Sequence, residues 1–145
     1  MEAYVSYGTA LLLKKWKFNE NTHKHYFGDE IIEANTTDMS RYPERYIPAP
    51  TLQMAVSWIQ EKYNILIVAD YEYECDSTPW YYKIYKLGQF GKPERVPIMG
   101  ESYDKDGNAQ QHIVGYRDYK KSYKNYATRE EAVQEGIWYV LRFLV

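Results

Sequence analysis

Cysteine is nearly missing from this chain. Cys75 is the only one in 145 residues, so no disulfide can close within it, and a reducing compartment suits it. Net charge is also small. Eighteen basic and 20 acidic side chains leave −2 and a pI of about 5.9, which removes any bulk attraction to nucleic acid or to an anionic membrane. No apolar run approaches the ~20 residues of a membrane span. Met1-Glu2-Ala3-Tyr4 lacks the basic start and apolar stretch of a signal peptide. There is no Gly-x-Ser-x-Gly elbow and no glycine loop of the kind that cradles phosphate. The expectation is a protein with no catalytic set, no cofactor and no membrane partner.

What the chain has is tyrosine, 17 of them. The ring is a large flat apolar face with a polar tip, suited to recognition surfaces and equally to half-buried sheets. The length predicts one domain over residues 1–145, with enough chain to bury a core without staples.

The clearest pattern runs from Ala49 to Leu87. Leu52, Ala55, Val56, Ile59 and Tyr63 recur at helical spacing, with Thr51 placed to cap the start and Asn64 the end. Ile65 to Ala69 is a β-branched run expected to be a strand buried on both faces. From Asp70 to Glu74 the pattern alternates, and Asp76-Ser77-Thr78-Pro79 is turn chemistry. Trp80 to Leu87 returns as a strand, with Trp80, Tyr82 and Ile84 on one face and Tyr81, Lys83 and Tyr85 on the other.

Around this unit, Val5 to Trp16 predicts a helix capped by Ser6. His25-Tyr26-Phe27 and Glu30 to Glu33 predict a hairpin about Gly28-Asp29. Thr36 to Pro48 reads as an ordered loop, as does Gly88 to Gly100. Asp104 to Asn108 is a turn, and Gln111 to Tyr116 a brief strand. Thr128-Arg129-Glu130-Glu131 is a capping box that opens a last helix, with Val133, Gly136, Ile137, Val140, Leu141 and Leu144 on its apolar face and Gly136 allowing close packing. The fold class is α+β: a small antiparallel sheet with two or three helices on one face.

Candidate chemistry is thin. His23 and His25, two residues apart, would share one face of a strand as metal ligands can, but spacing ties no third ligand to them, and a solvated strand edge is the simpler reading. Asp104, Asp106 and Asn108 imitate the start of a calcium loop, which then fails at Ala109 and Gly115, so a hairpin turn is favoured. Cys75 sits between Glu74 and Asp76, which discourages a thiolate. The segment from Tyr116 to Tyr126 is basic and aromatic. Arg117, Lys120, Lys121 and Lys124 interleave with Tyr116, Tyr119, Tyr123 and Tyr126, with Asp118 the only acid, the mixture single-strand binders use for phosphates and bases. The same tyrosine steps also suit an amphipathic segment lying on the core.

Three stretches together resemble small proteins of phages and prophages of gut Bacteroidetes: Tyr4 to Glu20 with its Leu11-Leu12-Leu13-Lys14-Lys15 run, Ala49 to Ile59, and Thr128 to Leu144 with its Glu-Glu-Ala start. The chain departs from that group at Lys17, where a helix-ending glycine is expected. The resemblance implies an intracellular, cytoplasmic protein of a mobile element and carries no functional residues. The function expected is therefore a non-catalytic accessory protein. It would bind a protein partner or a second copy of itself through a tyrosine-rich surface of Tyr81, Tyr85, Tyr116, Tyr119, Lys120, Lys121, Tyr123 and Lys124. The alternative is single-stranded nucleic-acid binding through residues 116–126.

Overall fold

Ser6 starts the first helix as its position predicts. Its hydroxyl accepts the Thr9 amide at 3.3 Å, and α1 runs Tyr7–Lys15. A computed structural model describes residues 3–33, 41, 43–75 and 77–145 of the chain. Helix α1 ends without glycine. Lys17 takes the left-handed conformation at φ +66°, the Phe18 amide reaches back to the Leu13 carbonyl, and the Lys17 amide to that of Lys14. That bond pair closes the helix end while Phe18 packs with Leu13 in the core.

The predicted hairpin forms as β1 (Lys24–Phe27) and β2 (Glu30–Ile32), with Phe27 opposite Glu30 and Gly28 at φ +62° in the two-residue turn. A third strand, β3 (Tyr46–Ala49), pairs with the other edge of β1 and corrects the reading of these residues as loop. Ile47 and Ala49 face the core, and Pro48 is tolerated because β3 is an edge strand. Residues 36–40 and 42 of that predicted loop, and Asp76 of the predicted turn, lie outside the described residues.

Helix α2 (Leu52–Tyr63) has the caps expected of it: Thr51 accepts the Met54 amide, and Asn64 is left-handed at φ +55°. Trp58 is buried as deeply as Leu52, with Phe18 edge-on at 5.3 Å, while Val56 and Tyr63 are half-buried. Strands β4 (Ile65–Tyr71) and β5 (Trp80–Lys86) form the predicted hairpin, with Ile67 opposite Ile84. Only one face of β4 is covered. Ile65 and Ile67 are buried, whereas Val68 is 37% exposed, which corrects the expectation of burial on both sides.

Helix α3 (Arg129–Tyr139) covers that inner face, its first turn capped by the Thr128 hydroxyl on the Glu131 amide at 3.1 Å. Gly136 lets it close down: a Cβ there would stand 2.8 Å from Ile67 Cγ2 and 3.3 Å from the Tyr82 ring. The last turn, Val140–Leu144, widens to π geometry, and the Trp16 indole donates to the Leu141 carbonyl at 3.0 Å. One apolar cluster joins α1, α2 and α3 to the two sheets.

Two further strands make a separate ribbon. They are β6 (Val96–Tyr103) and β7 (Ala109–Arg117), paired over their length with a bulge opposite Ile98 and Met99. This corrects two expectations, since Pro97 and Gly100 lie in a strand and the brief strand from Gln111 is longer. The Asp104 carboxylate ties the turn between them by accepting the Asp106 and Asn108 amides, each at 2.9 Å. The short β8 (Lys120–Lys121) then pairs with β5, and the stretch from Tyr116 to Tyr126 contains no helix. The architecture among the described residues is α+β, with its antiparallel strands divided into sheets β2-β1-β3, β4-β5-β8 and β6-β7.

Candidate functional site

The outer face of β4-β5-β8, opposite the helices, gathers half of the expected surface. Register puts Asp70 opposite Tyr81, Val68 opposite Lys83 and Lys83 opposite Lys121. Tyr119 arrives from the segment before β8, its ring 5.5 Å from that of Tyr85. Cations lie over these rings: Lys83 stands 4.6 Å from Tyr119, and Lys121 4.5 Å from Tyr81. Tyr81 is only 8% exposed beneath them. Arg117 adds a guanidinium 5.1 Å from Tyr119 and donates to the Tyr119 carbonyl at 3.0 Å.

Each lysine of this face is answered by a carboxylate. Lys83 meets Asp70 at 2.8 Å, and Lys121 is bonded to Glu72. The hydrogen bond from Lys83 holds the Asp70 carboxyl below its ordinary range and holds Lys83 above its own. The Lys121 bond, with a second from the Asn125 amide at 3.0 Å, does the same for Glu72. Cys75 donates to Glu72 at 3.5 Å; burial first, and then that carboxylate, raise the thiol. The outcome is an aromatic surface whose two lysines are paired internally, while its Arg117 guanidinium has no carboxylate partner among the described residues.

The other four expected residues lie elsewhere. Lys120 turns to the inner side of the sheet, bonded to the Tyr139 hydroxyl and 4.7 Å from its ring. Tyr116 is out on the β6–β7 ribbon under Arg95 at 4.7 Å. Tyr123 stands fully in solvent, and Lys124 lies 5.4 Å from Tyr126. Sequence reasoning included Arg117 within the basic segment but did not count Asp70, Glu72 and Lys83 as part of this surface. The alternation that set Tyr81, Lys83 and Tyr85 on one side was a usable signal for Lys83, and strand pairing for Asp70.

The two histidines do not converge. His25 is buried with Nε2 3.5 Å from the Thr22 hydroxyl, and His23 is exposed against Glu33 at 2.9 Å. No family model, curated protein or solved structure matches the chain. No three of His, Cys, Asp and Glu gather into a metal-binding group among the described residues. An open groove of about 460 Å³ beside α2 is lined by Glu20, His23, Thr51, Ser57 and Glu61, its one imidazole held by Glu33. No helix of the described residues is long and apolar enough to cross a membrane.

Proposed function

We propose that this chain is a non-catalytic accessory protein of a phage or other mobile element, working in the host cytoplasm by binding a protein partner, or a second copy of itself, through the outer face of β4-β5-β8. The observation that supports it is the pairing of Lys83 with Asp70 and Lys121 with Glu72 among Tyr81, Tyr85 and Tyr119. A face whose lysines are already neutralised has little to offer phosphates. Its half-buried rings, held in place by neighbours, suit the aromatic anchors of protein interfaces, which lose little side-chain freedom on binding.

Affinity capture with crosslinking from the bacterial host tests this. Tyr85→Ala combined with Tyr119→Ala is expected to lose the partner, while Tyr73→Ala, at a site 83% exposed, keeps it. Unchanged capture by the double variant contradicts the proposal.

The single-stranded nucleic-acid reading retains two supports, the fully exposed Tyr123 beside Lys124 and the Arg117 guanidinium over Tyr119. A labelled oligonucleotide at low salt separates the two readings. A salt-dependent shift abolished by Lys120→Glu and Lys121→Glu supports nucleic-acid binding, and the protein-interface reading expects none.

A further inference from the structure

The β6–β7 ribbon is built as half of a sheet. Two strands alone are marginal in water, and three or more with an apolar face are needed for independent stability. Yet Met99, Tyr103 and Ile113 of this ribbon are 51%, 70% and 51% exposed. Register places them on one face: Met99 lies opposite Ile113 and Tyr103 opposite Ala109, with the polar pair Glu101 and Gln111 between them. The two outer edges also differ. That of β6 carries Pro97, which has no amide to donate, and Glu101. From Ala109 to Tyr116, β7 has no Lys, Arg, Asp, Glu or Pro at all. Natural proteins seldom leave such an edge without blunting it, because it is a template for another strand.

We infer that β7 pairs with β7 of a second copy, antiparallel and with the twofold axis at Gln111, giving a continuous sheet β6-β7-β7′-β6′. Three features select a copy of this chain as the occupant. The first is register. With Gln111 on the axis, Ala109 falls opposite Ile113 of the other copy, because residues 111 + k and 111 − k meet. Tyr103, Ala109, Ile113 and Met99 then form one apolar row across four strands, and symmetry makes a second. Ala109 is the small residue that leaves room in the row for the tyrosine. The second is the bulge opposite Ile98 and Met99, which lies just beyond Ile113 and leaves Ala109 to Ile113 regular for pairing. The third is charge. The turn Asp104-Lys105-Asp106 carries two acids and one lysine, and with Asp104 tied to its own turn it brings Asp106 beside the base of the other arm, where the Arg95 guanidinium covers Tyr116. Among the described residues Arg95 has no carboxylate partner within its own chain.

This interface is separate from the sheet face proposed above and stands or falls without it. Sedimentation velocity on the full chain across micromolar concentrations is expected to show a reversible monomer–dimer equilibrium. Gln111→Lys sets like charges against each other on the axis, and the dimer boundary is lost. Asp106→Arg and Arg95→Glu each weaken the dimer, and together they restore it.

A second readout is independent of these variants. In a Cys75→Ser background, Gln111→Cys is expected to form an intermolecular disulfide under mild oxidation, since it meets its own copy across the axis. Gln110→Cys, which meets His112 instead, is expected not to. Circular dichroism and the melt report whether the variants stay folded; the arm lies outside the core, so the core signal is expected unchanged. A chain that is monomeric at every concentration overturns the inference. So does a dimer indifferent to Gln111→Lys, or crosslinking at position 110 in preference to 111.

Discussion

Lys17 shows how one residue can hold a conformation it does not favour. At φ +66° its Cβ crowds the backbone, and the conformation persists because the Phe18–Leu13 contact and two capping bonds require it. Lys17→Gly is therefore expected to stabilise the protein by about 1 kcal/mol in urea unfolding; a loss of stability would mean that the lysine side chain contributes more than the strain costs. Gly136 is the opposite case. Its missing Cβ is the space Ile67 and Tyr82 occupy, so Gly136→Ala is expected to destabilise by about 1–3 kcal/mol despite alanine's better helix propensity. His25 supplies a pH dependence. Burial lowers its pKa below the ordinary 6.5, so the unfolded chain takes up the proton first. Its contribution is complete above that value and is lost as pH falls through it. The melting temperature is expected to fall as pH drops below about 6.5, and His25→Leu to flatten that slope. The carboxylates of Asp70 and Glu72, held low by Lys83 and Lys121, lose their contribution only at more acid pH, which keeps the two effects apart.

At the level of elements, legibility followed locality. Ser6, Thr51, Asn64 and Thr128 act within a few residues of themselves, and each caps the helix end expected of it. Thr51→Ala is expected to cost about 1 kcal/mol in a denaturation midpoint, by freeing the Met54 amide; no change would show the cap to be idle. The β4–β5 and β1–β2 hairpins were legible for the same reason, their partners being neighbours joined by short turns. Strand β3 was missed because its partner β1 lies about twenty residues away in the chain. Strand β8 is two residues long and exists only because β5 offers an edge. The ribbon was hidden for another reason. Core packing imposes alternation on a strand, and β6 has no core beneath it, so Pro97 and Gly100 read as loop. The candidate face was legible in part: alternation set Tyr81 and Tyr85 on one side of β5. Lys120 and Lys121 could not be told apart by composition, since adjacent strand residues point to opposite faces and the strand itself was not foreseen.

Among the described residues, one apolar cluster joins α1, α2 and α3 to sheets β2-β1-β3 and β4-β5-β8, while the β6-β7 sheet stands outside it. The stability of the body and the order of the ribbon are then separate quantities, as is general where cooperative units share few buried contacts. The proposed function rests on two surfaces, the tyrosine–lysine face of the central sheet and the open edge of the arm, and the helices back only the first. Hydrogen exchange measured against protein concentration tests that division most directly. Amides of β4 and β5 are expected to be protected equally at every concentration, and those amides of Ala109 to Ile113 that face away from β6 to gain protection only as concentration rises. Outward-facing arm amides protected even at high dilution, or open at all concentrations, would contradict it.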